Sequence, residues 1–390
     1  MNKNKLLFFT DMHFGIHGNS PKYLEVCQNT MDWLRQLCAE EDVGGVLFGG
    51  DFFDSRTSID VKTMNAATRS LYDLADTGVT INMILGNHDL YLKDSHSIHS
   101  LLAYDGNSRI NVVSSPVTCC NGQVIILPWG YDGSTVDSKS VKWVFCHNDF
   151  PKEFFFNYGR GKTRSARKRS DTDASSTFKD EFGLDDGLMR NVVANGAVVL
   201  SGHVHQSQNI SLGKASIEIV GSPYETEYGF GDSKCGAVVV DFSDGTHRFF
   251  ENPQNCRHVE IRTSSVDSDL KKMAVEGNFV RLKVDTQESF ETISSIQRRI
   301  LAKNPFHVFP TVFDFAACPF GGKRDETANP LSSLDGGAHG TVSSKLDYVL
   351  AAIDREDFGE FTYDDGSARG VPSKETLKEL ATAIYGKVRH

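Results

Sequence analysis

The stretch Leu85-Gly86-Asn87-His88-Asp89 decides the fold, because it ends a hydrophobic run and begins a set of polar side chains. The run at residues 79–85 is typical of a buried strand. Similar polar stretches follow other apolar runs, namely Asp11-Met12-His13, Gly50-Asp51, His147 and Gly202-His203-Val204-His205. Open α/β sheets hold their ligands beyond the carboxyl ends of their strands. We therefore expect all five stretches to meet at one edge of a sheet.

The side chains in these stretches are those that a pair of divalent metal ions requires. They are carboxylates, an amide and imidazoles without cysteine, which favours manganese, iron or zinc in a catalytic site over a structural zinc site. One carboxylate can bridge two ions about 3.5–4 Å apart, and such a pair clamps a phosphate and lowers the pKa of a bound water. A lone histidine more often has a surface or hydrogen-bonding role. The coincidence of five stretches instead predicts seven ligands: Asp11, His13, Asp51, Asn87, His147, His203 and His205.

Taken in order, Asp-x-His, Gly-Asp, Gly-Asn-His-Asp, His and Gly-His-x-His resemble the motifs of the calcineurin-like metallophosphoesterases. The longer stretches Gly-Asp-Phe-Phe-Asp-Ser-Arg at 50–56 and Ile-Leu-Gly-Asn-His-Asp-Leu at 84–90 resemble the SbcD family of double-strand-break repair nucleases. Within that family they are most similar to the recombination endonuclease subunits of T4-type phages. The resemblance covers residues 5–255 well and the rest weakly. It implies an α/β fold in which two mixed β-sheets pack face to face between helical layers, the α/β/β/α metallophosphoesterase sandwich.

The resemblance also implies a role for each predicted ligand and for two of their neighbours. The ligands would serve two metals bridged by Asp51, with Asp11, His13 and His205 at the first and Asn87, His147 and His203 at the second. His88 would face the scissile phosphate and either stabilise the transition state or protonate the leaving oxygen, held in orientation by Asp89. Some cellular relatives carry a histidine where this chain has Asp54. That difference puts an exonuclease role at this position in doubt.

Length and composition indicate a protein of two or three domains. The chain has 390 residues, 39% of them hydrophobic, and no segment is long and apolar enough for a bilayer. The basic N-terminus precedes an apolar run too short for a signal peptide. Eight scattered cysteines, two of them adjacent, fit reduced thiols. We expect a cytoplasmic protein without a membrane role, in the host cell cytoplasm if the gene belongs to a phage.

Amphipathic helices separate the first three predicted strands. The first helix follows Ser20-Pro21 and has its apolar stripe at Leu24, Cys27, Met31, Leu34 and Cys38. The second has its stripe at Val61, Met64, Thr68, Leu71 and Ala75. Alternation of strand and helix predicts a parallel sheet with right-handed crossovers.

A dense cluster of positive charge lies between His147 and His203. Its members are Arg160, Lys162, Arg164, Arg167, Lys168 and Arg169, and we call them the basic cluster. The segment has no apolar periodicity, which predicts a mobile loop. It is either a solvated charge run or a contact to the phosphate backbone of DNA. Because the chain carries a net charge of −10, DNA binding has to come from such local patches and from bound cations.

The C-terminal third divides into a small module and a tail. Residues 256–320 alternate strand, helix and strand, which predicts an α/β module in the position of the family's DNA-capping domain. Residues 321–390 begin with a Gly/Ser/Asp-rich linker and end with two short amphipathic helices, at 346–353 and 373–388. Such a tethered helical tail suits docking on another protein. The predicted domains are therefore 1–255, a nuclease domain, 256–320, a DNA-capping domain, and 321–390, a partner-binding tail.

Three functions fit this sequence. The first is a two-metal DNA exonuclease or endonuclease that uses Mn²⁺, or Mg²⁺, Fe²⁺ or Zn²⁺, and processes DNA ends in recombination and repair. By resemblance it would act as a homodimer in a heterotetramer with an SbcC-like SMC-type ATPase, since the chain itself has no P-loop. The second is a metallophosphoesterase acting on phosphoprotein or a nucleotide. The third is a DNA-end tether without catalysis, which the intact ligand set disfavours.

Overall fold

The structure, a computed structural model, describes residues 4–93, 95–149, 183–286 and 288–314. These residues belong to a compact unit, Met1–Phe320, and the chain has a second unit at Gly321–His390. The basic cluster and the two predicted C-terminal helices lie outside the described residues. In the described part of the chain, no helix has the length and apolar character needed to span a membrane.

The first β-sheet contains the strands that precede Asp11, Asp51 and Asn87. In spatial order its strands are β14 (Thr246–Glu251), β13 (Gly236–Asp241), β1 (Lys5–Phe9), β2 (Gly45–Phe48), β3 (Thr80–Ile84) and β6 (Ile110–Val113). Strands β1, β2, β3 and β6 are parallel, whereas β13 is antiparallel to both of its neighbours. The carboxyl ends of β1, β2 and β3 therefore lie side by side.

The second sheet contains the strands that lead to the three C-terminal histidine ligands. Its order is β11 (Gln208–Leu212), β12 (Ala215–Ile219), β10 (Val198–Gly202), β9 (Trp143–His147), β8 (Val124–Leu127) and β7 (Val117–Cys119). The four central strands are parallel and the two edge strands are antiparallel to them. His147 is the last residue of β9, and it pairs with Gly202 at the end of β10.

The two sheets pack face to face between helices. A buried cluster joins side chains of both sheets, and in it the rings of Phe8 and Phe145 are 5.4 Å apart. The outer face of the first sheet packs against α2 (Pro21–Glu40) and α3 (Val61–Ala75), which follow a short helical turn, α1 (Ile16–Asn19). The outer face of the second packs against α4 (Asp186–Asn195). The predicted α/β sandwich of two mixed sheets is confirmed.

The residues of the predicted helix stripes are buried or partly buried, with one exception. All five stripe residues of α2 are buried, and Pro21 is its first residue, as predicted. Val61 is 84% exposed, so its place on the buried stripe of α3 was wrong. It is the first residue of α3, directly after the N-cap Asp60, whose carboxylate accepts the backbone N–H of Lys62 and Thr63. The buried face of this helix begins only at Thr63.

Two smaller elements complete the described chain. A hairpin follows the Asn87-His88-Asp89 loop, with strands β4 (Leu90–Leu92) and β5 (Ser95–His99), and leads into a 3₁₀ helix, Ser100–Tyr104. A parallel sheet with its own apolar core forms what we call the small module. Its elements are β15 (His258–Arg262), the 3₁₀ helix Thr263–Ser265, α5 (Val266–Lys272), β16 (Phe279–Val284), α6 (Phe290–Leu301), β17 (His307–Val308) and β18 (Val312–Phe313). The domain limits at 255 and 320 stay predictions.

Candidate metal centre

The seven predicted ligands come together, but not at one edge of a single sheet. Four lie after strands of the first sheet, and three lie at or after the ends of strands of the second. In full, β1 is followed by Asp11 and His13, β2 by Asp51 and β3 by Asn87, while His147 ends β9 and β10 is followed by His203 and His205. The site therefore lies where the carboxyl ends of two packed sheets meet.

One group of potential ligands consists of Asp11, His13 and His205, whose ligand atoms all lie within 4.8 Å of one another. The Nε2 atoms of His13 and His205 are 3.0 Å apart. Asp11 Oδ1 is 3.8 Å from His13 Nε2 and 4.0 Å from His205 Nε2. Ligands about 2.1 Å from a shared ion would be roughly 3.0–3.4 Å apart. The group is thus close to the spacing that one divalent ion requires.

A second group consists of Asp51, His147 and His203, again within 4.8 Å. Asn87 completes it, because its Oδ1 is 3.1 Å from His147 Nε2 and 2.8 Å from His203 Nδ1. Asp51 Oδ2 lies 3.4 Å from His147 Nε2 and 3.8 Å from His13 Nε2 in the other group. Asp51 therefore lies between the two groups of potential ligands.

The backbone of the ligand loops is unusual. Four ligand residues have a positive φ, namely Asp11 (56°), His13 (45°), Asp51 (60°) and His203 (84°). This left-handed region is uncommon for residues other than glycine, although aspartate and histidine adopt it more readily than most. Strained backbone tends to persist at functional sites, where the surrounding structure holds it. In this protein, the left-handed backbone at these residues brings side chains from separate loops close together.

Two glycines allow the loops to approach each other. A Cβ atom on Gly86 would collide with the backbone and carboxylate of Asp51. A Cβ atom on Gly202 would collide with Thr10 Oγ1 and would also crowd His147. Glycine directly before Asn87 and directly before His203 is therefore a packing requirement of the site.

The buried carboxylates of the site favour positive charge beside them. Burial alone would raise the pKa of Asp51 and Asp11, but His147 and His13 respectively hold these pKa values below the ordinary range. The carboxylates in turn raise the pKa of His13 to about 10 and that of His147 to about 9, against the effect of burial. Burial and the nearby His13 charge lower the pKa of His205 to about 4. Two buried carboxylates thus attract positive charge that divalent ions would supply in place of imidazolium protons.

In two of the ligand histidines, the ring nitrogen that faces away from the metal group lies beside an oxygen atom that sequence reasoning did not find. His147 Nδ1 donates to the Gly49 carbonyl at 2.8 Å. His205 Nδ1 is 3.0 Å from Thr226 Oγ1. Such partners fix the tautomer and orientation of a metal-binding imidazole. A backbone carbonyl and a threonine outside any motif leave no signal in the sequence.

His13 and His88 both contact Asp54, the residue whose role the sequence left open. Asp54 Oδ1 is 3.4 Å from His13 Nδ1, and although burial opposes it, the nearby His13 side chain holds the pKa of Asp54 below its ordinary value. The Asp54 carbonyl accepts a hydrogen bond from His88 Nδ1 at 2.6 Å. His13, Asp54 and His88 also form a group with ligand atoms within 4.8 Å of one another.

The structure corrects the role predicted for Asp89. Its fully buried carboxylate accepts hydrogen bonds from the backbone N–H groups of Asp51, Gly86 and Phe52, at 2.8, 2.9 and 3.1 Å. His88 is oriented instead by the Asp54 carbonyl. Because His88 and Asp89 are consecutive in a tight turn, one is partly exposed while the other is buried. Asp89 therefore ties the loop after β2 to the loop after β3.

Replacing Asp89 with asparagine should lower the free energy of unfolding by roughly 2–3 kcal/mol, because an amide NH₂ cannot accept from the N–H groups that the carboxylate serves. Burial, and then the charge of Asp51, raise the pKa of Asp89 to about 7. Urea titration of the protein would measure the change. Ser100→Ala is the matched control, since it removes only one 3.3 Å bond to the same carboxylate. An unchanged midpoint in Asp89→Asn would contradict the structural role.

Two further side chains border the metal groups. Arg56 Nη2 lies 3.0 Å from the side-chain amide of Asn87. The ring of Trp129 lies 4.9 Å from that of His203. Arg56 belongs to the stretch on which the resemblance rests, although no role was predicted for it.

Comparison with known proteins agrees with this geometry. The model of the family described as calcineurin-like phosphoesterase matches residues 5–207, more than half of the chain. The chain is also 23% identical over 258 residues to exonuclease subunit 1 of Enterobacteria phage T4, which covers 64% of this chain and 68% of that protein.

Solved structures show weaker likeness. An archaeal phosphodiesterase is 11% identical, with 64% of this chain and 99% of that chain covered and a TM-score of 0.33. A dimetal phosphatase from Danio rerio is 10% identical, with 62% and 93% covered and a TM-score of 0.37. These scores are too low to carry an argument about this chain.

Proposed function

Because the chain belongs to the calcineurin-like phosphoesterases, we propose that it is a two-metal DNA nuclease that hydrolyses phosphodiester bonds and processes DNA ends in recombination and repair. One observation carries the proposal: seven potential ligands converge in two groups that share Asp51. The likeness to a phage exonuclease subunit supports DNA as the substrate over phosphoprotein or nucleotide.

The described residues suit this chemistry. Asp11, His13 and His205 would hold the first ion, and Asn87, His147 and His203 the second, with Asp51 between them. When bound, two divalent ions polarise the phosphoryl group and activate water as the nucleophile. We assign manganese first, with magnesium, iron or zinc as alternatives, because the donor set is nitrogen and oxygen without thiolate.

Two side chains outside the ligand set have roles in this proposal. His88 donates from Nδ1 to a carbonyl, so its Nε2 is the nitrogen left to exchange a proton with substrate. Arg56, beside Asn87, places a guanidinium where it can bind a phosphate oxygen. Neither role requires a change in the fold of the loops.

A cleavage assay tests the proposal directly. The purified protein is incubated with end-labelled linear duplex DNA, with and without Mn²⁺, beside a phosphate monoester and a set of nucleotides. Degradation of the DNA that requires the metal, with little monoester hydrolysis, is the expected result. Hydrolysis of monoesters or nucleotides alone would instead indicate the alternative metallophosphoesterase. Metal-independent DNA binding without any hydrolysis would indicate a tether.

DNA contact and partners are part of the same proposal. The chain has a net charge of −10, so affinity for a polyanion needs a local source. We assign it to the basic cluster (Arg160, Lys162, Arg164, Arg167, Lys168 and Arg169), whose phosphate contacts would make binding weaken with salt. We further propose that residues 321–390 dock on an SbcC-like SMC-type ATPase, with a homodimer of this chain in a heterotetramer.

A further inference from the structure

The segment between β12 and β13 contacts the first metal group and also the small module. Two consecutive residues in it, Glu225 and Thr226, are almost fully buried, with 3% and 1% of their surface exposed. Neither belongs to a motif and neither is a predicted ligand. Their side chains contact different parts of the molecule, Thr226 the first metal group and Glu225 the small module.

Thr226 holds His205 from behind. Its Oγ1 is 3.0 Å from His205 Nδ1, while His205 Nε2 faces His13 in the first metal group. A hydroxyl that accepts from Nδ1–H leaves the lone pair of Nε2 for a metal ion. The Thr226 carbonyl is itself held, since it accepts from His17 Nε2 at 2.7 Å. The ring of His205 is therefore oriented by a residue whose backbone carbonyl is itself held.

Glu225 anchors the start of the small module. Its Oε2 accepts from the backbone N–H of His258 at 2.8 Å and lies 3.3 Å from His258 Nδ1. Its Oε1 accepts from Arg257 Nε at 3.1 Å. These bonds keep the pKa of Glu225 below its ordinary value although burial opposes this. A buried carboxylate with several charge-assisted bonds is costly to separate from its partners.

The small module reaches the same segment by a second route. His258 Nε2 is 2.5 Å from the hydroxyl of Tyr23 in α2, and the His258 ring stacks on Phe279 of β16. The Tyr23 ring in turn packs against His17, with centroids 4.4 Å apart. His17 is the residue that donates to the Thr226 carbonyl. Both routes from the module thus end on Thr226.

We infer that Thr226 is a positioning residue for His205. Through Glu225, the position of Thr226 depends on the attachment of the small module. The affinity of the first metal site is then set in part by the module. Consecutive Cα atoms joined by a trans peptide bond are about 3.8 Å apart, so Glu225 cannot move far without moving Thr226. The inference rests on the proposed two-metal function, and the following tests separate the two.

Mn²⁺ binding to the full chain tests the positioning role. Free Mn²⁺ is followed by electron paramagnetic resonance, which gives two dissociation constants, and His205→Gln shows which of them belongs to the first site. Thr226→Val, which keeps shape but removes the hydroxyl, should weaken that site by about 10–100-fold and leave the other unchanged. Thr226→Ser should restore it, which a merely structural effect of the substitution would not predict. Equal first-site affinity in Thr226→Val and the unaltered protein would overturn the assignment.

Glu225→Gln tests the link to the module. We expect this substitution to lower the Mn²⁺ affinity of the first site by at least about 5-fold and to leave that of the second site unchanged. A change of this size is typical of a modest coupling between distant groups. Glu260→Gln is the matched control, because Glu260 pairs with Arg262 and Arg281 inside the module. An effect of Glu260→Gln as large as that of Glu225→Gln, or no effect of Glu225→Gln, overturns the link. If the unaltered protein binds no divalent ion, the proposed function itself fails.

Discussion

Asp51→Asn is expected to abolish metal-dependent hydrolysis of DNA, with kcat/KM lowered on the order of 10³-fold or more. Asp51 Oδ2 lies within 3.4 Å of His147 Nε2 and 3.8 Å of His13 Nε2, so its charge serves both groups. Removing it takes away the only carboxylate of the predicted set that both ions could share. The variant should lose bound metal as well as turnover.

The fold of this variant should persist. Asparagine adopts the left-handed backbone of position 51, where φ is 60°, about as readily as aspartate. Its side-chain oxygen can still accept from the backbone N–H of His88, as Asp51 Oδ1 does at 2.7 Å. Replacement also relieves repulsion with the buried Asp89 carboxylate, whose pKa the burial and the Asp51 charge raise to about 7. A loss of activity would therefore not reflect unfolding.

Metal content and thermal stability measure the effect without an activity assay. Mn²⁺ should raise the melting temperature of the unaltered protein, because a ligand that binds only the folded state stabilises it. It should not raise that of Asp51→Asn. Asp269→Asn is the control, a buried carboxylate of the small module that accepts from Arg262 N and Ser265 Oγ. Two bound ions and unchanged kcat/KM in Asp51→Asn would refute the bridging role.

The positions of the ligands could be predicted because each follows an apolar run by only a few residues. A strand buried on both faces is hydrophobic throughout, so the first polar residues after it mark the carboxyl end of that strand. Asp11, Asp51 and Asn87 are marked in this way, and so is His203. What the runs could not show is that they belong to two sheets, since strand order depends on contacts far apart in sequence.

The partners that orient the ligands could not be predicted. Thr226 lies 21 residues after His205, in a segment without helical or strand periodicity. The oxygen that holds His147 is a backbone carbonyl, which any residue type provides. Asp89 was misassigned because the resemblance implied contact with His88, whereas a tight turn separates the two side chains. A local sequence pattern therefore locates a ligand residue, but it does not reveal the hydrogen-bond partner that orients its side chain.

His88→Gln is expected to keep both metal ions and to lose about 10²–10⁴-fold in kcat, the usual contribution of a general acid or charge stabiliser. The backbone N–H of His88 donates to Asp51 Oδ1, and this bond survives any change of side chain. The imidazole itself is partly exposed and donates from Nδ1 to the Asp54 carbonyl. Loss of the ring should thus leave Asp51 in place while removing the proton carrier.

Two substrates separate the possible roles of His88. A phosphodiester with a nitrophenolate leaving group needs little protonation, whereas the alkoxide leaving group of DNA needs much. If His88 is the general acid, His88→Gln should cost far more on DNA than on the nitrophenyl diester. If it stabilises charge in the transition state, both substrates should lose similar amounts. His247→Gln is the control, because His247 pairs with Glu218 on the second sheet.

Metal stoichiometry in His88→Gln decides whether these roles apply. His88 shares a group of potential ligands with His13 and Asp54, so a direct part in metal binding is the competing explanation. Because the imidazole already donates from Nδ1 to a carbonyl, only Nε2 could bind an ion. Retention of two Mn²⁺ per chain with slow turnover places His88 at the substrate. Loss of one ion would make it a ligand and the assignment above wrong.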